Sequence, residues 1–318
     1  MHDNKMEGKK KIIFIINPIA GVKGKRNLER KIDTCFSSAD YEVIKLYSTY
    51  PSHALELAEQ AALKSPYMVV AAGGDGTINE IARALINTGI PLGIIPLGSG
   101  NGFARHFNMP LTITKALDLL KTGTIISVDV GYFNGLPFFC TAGIGFDAEI
   151  GYYYRNYNHR GFVAYALSFA KVFSWYRSKE YVLEIDGETY NFKAFFVTIA
   201  NISQFGYNFF VAPKASTIDG AFDVVVVKSF PKWKASFIAI RSFLGTIDTS
   251  DYVWHKLAEN VKIISPAGEK FVHIDGEAGI QDGILEYQIK NAELRVNVNN
   301  KEQVIPFPFK KLIHKSSH

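Results

Sequence analysis

The stretch Val69-Val70-Ala71-Ala72-Gly73-Gly74-Asp75-Gly76-Thr77-Ile78-Asn79-Glu80 passes from an unbroken apolar run, through three glycines around one aspartate, into a segment with apolar residues at spacings of three and four. A short run that is apolar throughout predicts a strand covered on both faces. Ile78, Ile81, Ala82, Leu85 and Ile86 then share one stripe of a helix. Strand, glycine turn and helix make the repeating unit of a parallel α/β sheet. Working outward, further apolar runs stand at 12–16 (IIFII), 42–48 (EVIKLYS) and 92–97 (LGIIPL), with a second helical pattern at 52–64 (SHALELAEQAALK).

After about residue 128 the rhythm changes to strands and tight turns. Asn134-Gly135 and Asp186-Gly187 sit between strand-like runs, and FDVVVVKSF, NVKII, KFVHID, ILEYQI and ELRVNV continue the pattern. Helical segments are expected only at about 160–176 and 232–245. The fold class is therefore α/β plus all-β: an α/β domain over 1–128, and an antiparallel β-sandwich over 129–302. The tail, 303–318, is a candidate to pack back on the first domain. No Pro/Gly/Ser-rich linker separates the halves, so an intimate interface with a cleft is expected.

The bulk numbers fit a globular protein. The chain has 318 residues, 47% hydrophobic, which is enough for two cores. Its two cysteines, Cys35 and Cys140, are too few for a disulfide framework, and no His/Cys spacing matches a zinc site; a reducing, cytoplasmic setting fits. The charged N-terminus MHDNKMEGKKK has no apolar core of the secretory kind. The longest apolar run, Phe162 to Trp175, is too short to span a bilayer and holds Lys171, so any membrane contact is from the side. A net charge of +5 would help at an anionic surface, although so small an excess is also simple solubility.

Ligands of an open parallel sheet bind beyond the carboxyl ends of its strands. Three turns expected there are unusual: Asn17-Pro18-Ile19-Ala20-Gly21, with Lys23, Lys25 and Arg26 beyond it; Gly73 to Thr77; and Gly98-Ser99-Gly100-Asn101-Gly102. Glycines let backbone amides approach an anion, and a helix N-terminus adds partial positive charge. No GxxxxGK[ST] occurs, and Gly143-Ile144-Gly145-Phe146-Asp147-Ala148 follows a hairpin strand, so neither Walker nor Rossmann chemistry is supported. A carboxylate among phosphate-binding amides is repelled unless it meets Mg²⁺, a metal-bound water or a hydroxyl proton; Asp75 thus points to phosphoryl transfer. Plainer readings exist. Asp-Gly is an ordinary turn dipeptide, Thr77 to Glu80 matches a capping box with Thr77 as N-cap and Glu80 reaching back, and the basic residues fit a solvated loop. The convergence of three such turns on one sheet edge favours a site.

GGDGTINE at 73–80, IPLGSGNGFARHF at 95–107 and NPIAG at 17–21 together resemble the diacylglycerol kinase catalytic family, which includes sphingosine kinases and bacterial lipid kinases. GIGFDAEI at 143–150, the segment 199–227 and HIDGE at 273–277 resemble the family's second domain. The resemblance implies an NAD-kinase-like α/β domain, a β-sandwich domain, and transfer of the γ-phosphoryl of ATP, with Mg²⁺, to a lipid hydroxyl. It places Asn17, Gly74, Asp75, Gly76, Thr77, Gly98, Ser99 and Asn101 at the ATP, with Ser48 or Thr49 on the adenine side. It makes Glu277 a candidate general base with Asp275 beside it, and Asp75 an alternative in that role. The metal ligands stay open.

IDGE occurs twice, at 185–188 and 274–277. The first reads as a clean two-residue hairpin; the second reads as opening a longer loop, which favours it as the functional copy. Bacterial diacylglycerol kinases of the family usually read G-T-x-N-D-F-A-R, whereas Gly102 stands here for that aspartate, closer to the sphingosine and ceramide kinase branch; a metal-water network through that residue cannot operate here. The aromatic residues Phe162, Tyr165, Phe169, Phe173 and Tyr176 read as core before they read as a lipid pocket. Lipid substrate and the inner membrane face are the expected partners, with no nucleic acid and a homodimer left open. The alternatives are an NAD kinase-like phosphotransferase and a non-catalytic nucleotide- or lipid-binding regulator.

Overall fold

The computed structural model describes residues 9–21, 27–155, 162–264 and 270–299. Lys23, Lys25, Arg26 and the segment 303–318 lie outside them, as do the side chains of Phe162 and Tyr165. The described residues form two compact units: those of 9–128 with 293–299, and those of 129–292.

In the first unit, β1 (Lys10–Ile16), α1 (Leu28–Cys35), β2 (Tyr41–Tyr47), α2 (His53–Ala62), β3 (Met68–Gly73), α3 (Asp75–Leu85) and β4 (Leu92–Pro96) alternate, followed by α4 (Gly102–His106) and α5 (Ile113–Thr122). The strands form a parallel sheet in the order β2-β1-β3-β4. Burial explains their sequence: every residue of β3 and β4 is buried, because helices cover both faces. Phe14, Val70, Ile32 and Leu120 belong to the core on one face.

Strand β5 (Thr124–Phe133) leads into the second unit, where β6 (Leu136–Phe138), β7 (Thr141–Gly145), α6 (Phe146–Arg155), α7 (Phe162–Trp175), β8 (Lys179–Ile185), β9 (Glu188–Ala200) and β10 (Phe222–Lys228) follow. The chain continues through α8 (Ala235–Leu244), β11 (Val253–Ala258), β12 (Asn260–Ile264), β13 (Lys270–Ile274), β14 (Glu277–Gln281) and β15 (Leu285–Val298). Pairing within the unit is antiparallel: β9 takes β8 along its first half and both β7 and β10 along its second. β13 joins β7 to β14, and β12 lies between β8 and β15. Phe138, Tyr181, Val197, Phe222, Val261 and Tyr287 fill the sandwich core.

Two details differ from the sequence reading. The end of β15 ladders on to β4 through Val296 and Leu92, so the described residues 293–299 group with the first unit, whereas the sequence reading ran the second domain on through them. Helix α6, FDAEIGYYYR, was hidden because its run of tyrosines carries little helical signal and follows a strand without a break.

Asp129 is a principal pin of the second unit. It is 3% exposed, and its carboxylate accepts amide hydrogens from Gly220 at 2.8 Å and Ala292 at 2.8 Å. Ala292 sits at φ 57°, a conformation this bond helps to hold. Asp129→Ala removes the buried carboxylate that both part-buried amides donate to and is expected to cost about 1–3 kcal/mol in urea denaturation.

Candidate active site

The three unusual turns leave the carboxyl ends of β1, β3 and β4, which are neighbours in the sheet, so one edge gathers Asn17, Gly74 to Thr77, and Gly98 to Asn101. The contacts are direct. Asn17 Nδ2 donates to Thr77 Oγ1 at 3.0 Å, while Asn17 Oδ1 accepts from the Ile19 amide at 3.0 Å and shapes its own turn. Asn101, in the left-handed region at φ 50°, donates from Nδ2 to the Gly98 carbonyl at 2.8 Å. Ser48 is buried at the end of β2, its amide bonded to the Ile16 carbonyl at 3.0 Å. Thr49 beside it is exposed and holds His53 Nδ1 at 3.1 Å. Ser99 is exposed.

The glycines divide by function. A Cβ on Gly98 would lie 2.7 Å from Gly74 Cα and 2.8 Å from Asn101 Oδ1, and one on Gly73 would lie 2.5 Å from the Thr77 side chain. Gly98 and Gly74 let two turns pack backbone to backbone, and Gly73 makes room for Thr77. Gly76 is different: a Cβ there meets nothing within 4 Å, so the first turn of α3 presents bare amide backbone to open space. A helix N-terminus of this kind attracts anions.

Asp75 is the first residue of α3. Burial raises its carboxyl pKa above the ordinary range; the amides of Asn101, Phe103 and Gly102, where α4 begins, pull the other way and do not compensate. Its Oδ1 is out of contact with solvent and has no hydrogen-bond partner, and the same holds for Asn101 Oδ1. An acceptor left empty in this way fits a metal-bound water or a hydroxyl proton supplied by a ligand. Among the described residues no cluster of three or more His, Cys, Asp or Glu could hold a metal alone.

The capping-box reading of Thr77 and Glu80 is corrected. Helix α3 starts at Asp75 with Gly74 as N-cap, so Thr77 lies inside the first turn and its hydroxyl serves Asn17. The Glu80 carboxylate caps the neighbouring helix α2, accepting from the Ser52 amide at 3.2 Å and the Ala54 amide at 3.0 Å.

Asp275 and Glu277 lie in the second unit, and here the loop reading is corrected. Both IDGE copies are two-residue hairpins: Asp186 and Gly187 at φ 47° and 86°, Asp275 and Gly276 at φ 49° and 84°. EAGIQ is strand β14, not a loop. In each copy the aspartate binds backbone: Asp186 accepts from Asn260 at 2.8 Å, and Asp275 from Phe139, Cys140 and Thr141 at 2.9, 2.7 and 3.1 Å. The glutamates differ. Glu188 is held by Lys256 at 2.7 Å, whereas the exposed Glu277 side chain has no hydrogen-bond or ion-pair partner among the described residues.

The dismissed segment Gly143 to Ala148 carries a polar group that the sequence did not signal. Asp147 Oδ2 meets His273 Nε2 at 3.0 Å and Thr198 Oγ1 at 3.1 Å. Nearby Glu149, 1% exposed, pairs with Lys179 at 2.5 Å. Of the aromatic stripe, Tyr176 packs in a buried cluster with Phe146 and Phe195, which is core, while Phe169 is 40% exposed.

Residues 11–133 match the diacylglycerol kinase catalytic domain, and 141–297 match the YegS C-terminal NAD kinase beta sandwich-like domain. A Bacillus subtilis diacylglycerol kinase is 30% identical over 298 residues, covering 91% of this chain and 96% of that one. An uncharacterized Synechocystis protein is 30% identical over 287 residues, which cover 83% of this chain and 65% of that one. The crystal structure of a Bacillus anthracis diacylglycerol kinase superposes with a TM-score of 0.72 at 24% identity, over 91% of this chain and 97% of that one, and so shares the fold. A diacylglycerol kinase catalytic domain followed by an NAD kinase-like β-sandwich defines the class, a kinase of two domains. The chain belongs to the diacylglycerol kinase family, which implies ATP as phosphate donor.

Two outcomes test this geometry. Gly98→Ala is expected to cost about 1–3 kcal/mol, because the nearest obstructing atom is backbone, while Gly76→Ala leaves stability unchanged or slightly higher; thermal denaturation distinguishes them. Asp75 holds its proton more tightly folded than unfolded, so its contribution to stability falls as pH rises from the ordinary carboxylate range, about 3.9, through the raised folded value. Asp75→Asn should therefore be at least as stable as wild type at pH 7, with its advantage shrinking as the pH is lowered to 4.

Proposed function

We propose that the chain transfers the γ-phosphoryl group of ATP to the hydroxyl of a lipid, diacylglycerol or a sphingoid-like lipid, as a peripheral enzyme at the inner membrane face. The observation that carries this reading is the strand-end cradle: bare amides at Gly76 on the first turn of α3, beside an Asp75 oxygen with no protein partner. Family membership supports the reaction class. No helix among the described residues is long and apolar enough to cross a membrane, which is compatible with contact from the side.

In the proposed mechanism the amides around Gly74, Gly76 and Gly98 bind the phosphates, and Asn17, Thr77 and Asn101 hold the three turns in register. Ser48, Thr49 and Ser99 line the nucleotide side. Mg²⁺ would be held through Asp75 and the phosphates, the one-carboxylate arrangement usual for this ion, and would neutralise charge developing on the transferred group. The lipid oxygen forms a bond to the γ-phosphorus, the bond to the bridging oxygen of ADP breaks, and the hydroxyl proton passes to a carboxylate. Asp75 and Glu277 are the carboxylates proposed for the proton, since Asp275 already accepts three amide hydrogens and positions the hairpin that carries Glu277.

The test is labelled ATP with Mg²⁺ and a panel of diacylglycerol, sphingoid base, ceramide, phosphatidylglycerol, undecaprenol and NAD. Label is expected in a lipid. Asp75→Asn and Glu277→Gln are expected to lower kcat by about 100-fold or more for whichever acts as base, and Gly76→Ala to raise the KM for ATP while the protein stays folded. Label in NAD alone would overturn the lipid reading, and no labelled product would favour a binding regulator. Unchanged turnover in both carboxylate variants would remove the mechanism.

A further inference from the structure

Helix α8 is turned inside out for a globular protein. It buries only Ile238 and Ser242. The opposite face exposes Phe237 at 59%, Ile240 at 54% and Leu244 at 64%, with Phe243 at 57% on its flank. At 100° per residue, positions 237, 240 and 244 fall on one stripe. Trp233, 69% exposed, extends the stripe on the short 3-10 turn Lys232–Lys234 ahead of the helix. Contiguous large apolar side chains facing outward mark an interaction surface. The ridge is firmly mounted: Phe243 meets Phe209 edge-on at 5.2 Å, and the Phe210 amide donates to the Ser242 carbonyl at 3.1 Å.

Charge identifies the occupant. A groove of about 280 Å³ runs beside the ridge, and its charged lining is Lys234 and Arg241 against the single carboxylate of Asp251. Lys234 Nζ stands 5.2 Å from the centre of the Trp233 ring and donates to Tyr252 Oη at 2.9 Å, at the base of the apolar stripe. Lys232 is employed elsewhere, donating to the Phe173 and Ser174 carbonyls at the end of α7. An apolar stripe with tryptophan and phenylalanine, edged by two cations, has the chemistry of a helix lying at a bilayer surface: rings among the acyl chains, cations at the phosphates.

We propose that the Lys232–Lys234 turn and α8 form the ridge that inserts into an anionic phospholipid leaflet, with Trp233, Phe237, Ile240 and Leu244 entering the acyl region. The inference rests on the lipid-kinase reading, because a lipid acceptor is met in a bilayer.

Sedimentation of the full chain with vesicles of phosphatidylcholine, with and without phosphatidylglycerol, tests it. The wild type is expected to bind the mixed vesicles. Phe237→Ser with Ile240→Ser should weaken that binding by about tenfold or more. Lys234→Gln with Arg241→Gln should reduce the preference for the anionic vesicles. A chain with Trp175→Phe and Trp254→Phe leaves Trp233 as sole reporter; its emission should shift to the blue and be quenched by brominated acyl chains. Trp233 fluorescence unmoved by vesicles, or serine variants that bind as wild type does, would overturn the proposal. So would a wild-type dimer that the serine variants dissociate, since a second copy then covers the ridge. Failure of the kinase reading is separable: vesicle binding through α8 with no labelled lipid leaves the ridge standing, whereas labelled lipid without ridge insertion removes only the ridge.

Discussion

The site edge of the first unit depends on one close approach, that of the Gly74 and Gly98 backbones. A single methyl on Gly98 would come within 2.7 Å of Gly74 Cα, closer than any packed core permits. Because the two turns meet without side chains, α3 and α4 begin side by side. Asp75, at the start of one, then lies against the first amides of the other. The same contact buries Asp75 and raises its pKa. Geometry and electrostatics at this edge are therefore one consequence of two missing Cβ atoms, and Asn17 and Asn101 complete the arrangement by binding Thr77 and the Gly98 carbonyl.

The second unit is held by a different device, in which aspartate carboxylates accept backbone amides from distant turns. Asp129 binds Gly220 and Ala292, Asp186 binds Glu259 and Asn260, and Asp275 binds Phe139, Cys140 and Thr141. Antiparallel strands joined by irregular connections leave amides that no ladder satisfies, and an unsatisfied buried amide is costly. An ionised carboxylate with two oxygens can serve several at once. These three aspartates thus brace turns, which is why an aspartate near a turn is a poor guide to chemistry in this unit.

The sequence was most legible where a signal was local. All-apolar runs identified β1, β3 and β4, since burial on both faces leaves no other composition, and strand order placed their turns on one edge. It was least legible where partners were distant. Glu80 sits at the right spacing to cap its own helix, yet it caps α2, because the fold brings the Ser52 and Ala54 amides within hydrogen-bond reach of its carboxylate. Whether a glycine opens space or closes it was equally invisible: Gly76 and Gly98 are the same letter in similar turns, and only the neighbour across the sheet edge separates them. The outward apolar face of α8 also escaped, because periodicity reports that a helix has a stripe and not which way the stripe points.

The duplicated IDGE shows what structure adds to a motif. The two copies share a turn type, nearly identical dihedral angles and an aspartate bound to amides, so any property common to both belongs to the hairpin. Function can reside only in what differs. Glu188 is tied to Lys256 and Tyr190, and these partners lower its pKa, as a carboxylate in a surface ion pair requires. Glu277, at the same place in its own hairpin, has no such partner among the described residues, and Asp275 fixes the turn that carries it. An acceptor without an assigned donor suits proton abstraction from a hydroxyl, and this difference between the copies is what supports proposing Glu277 for that role.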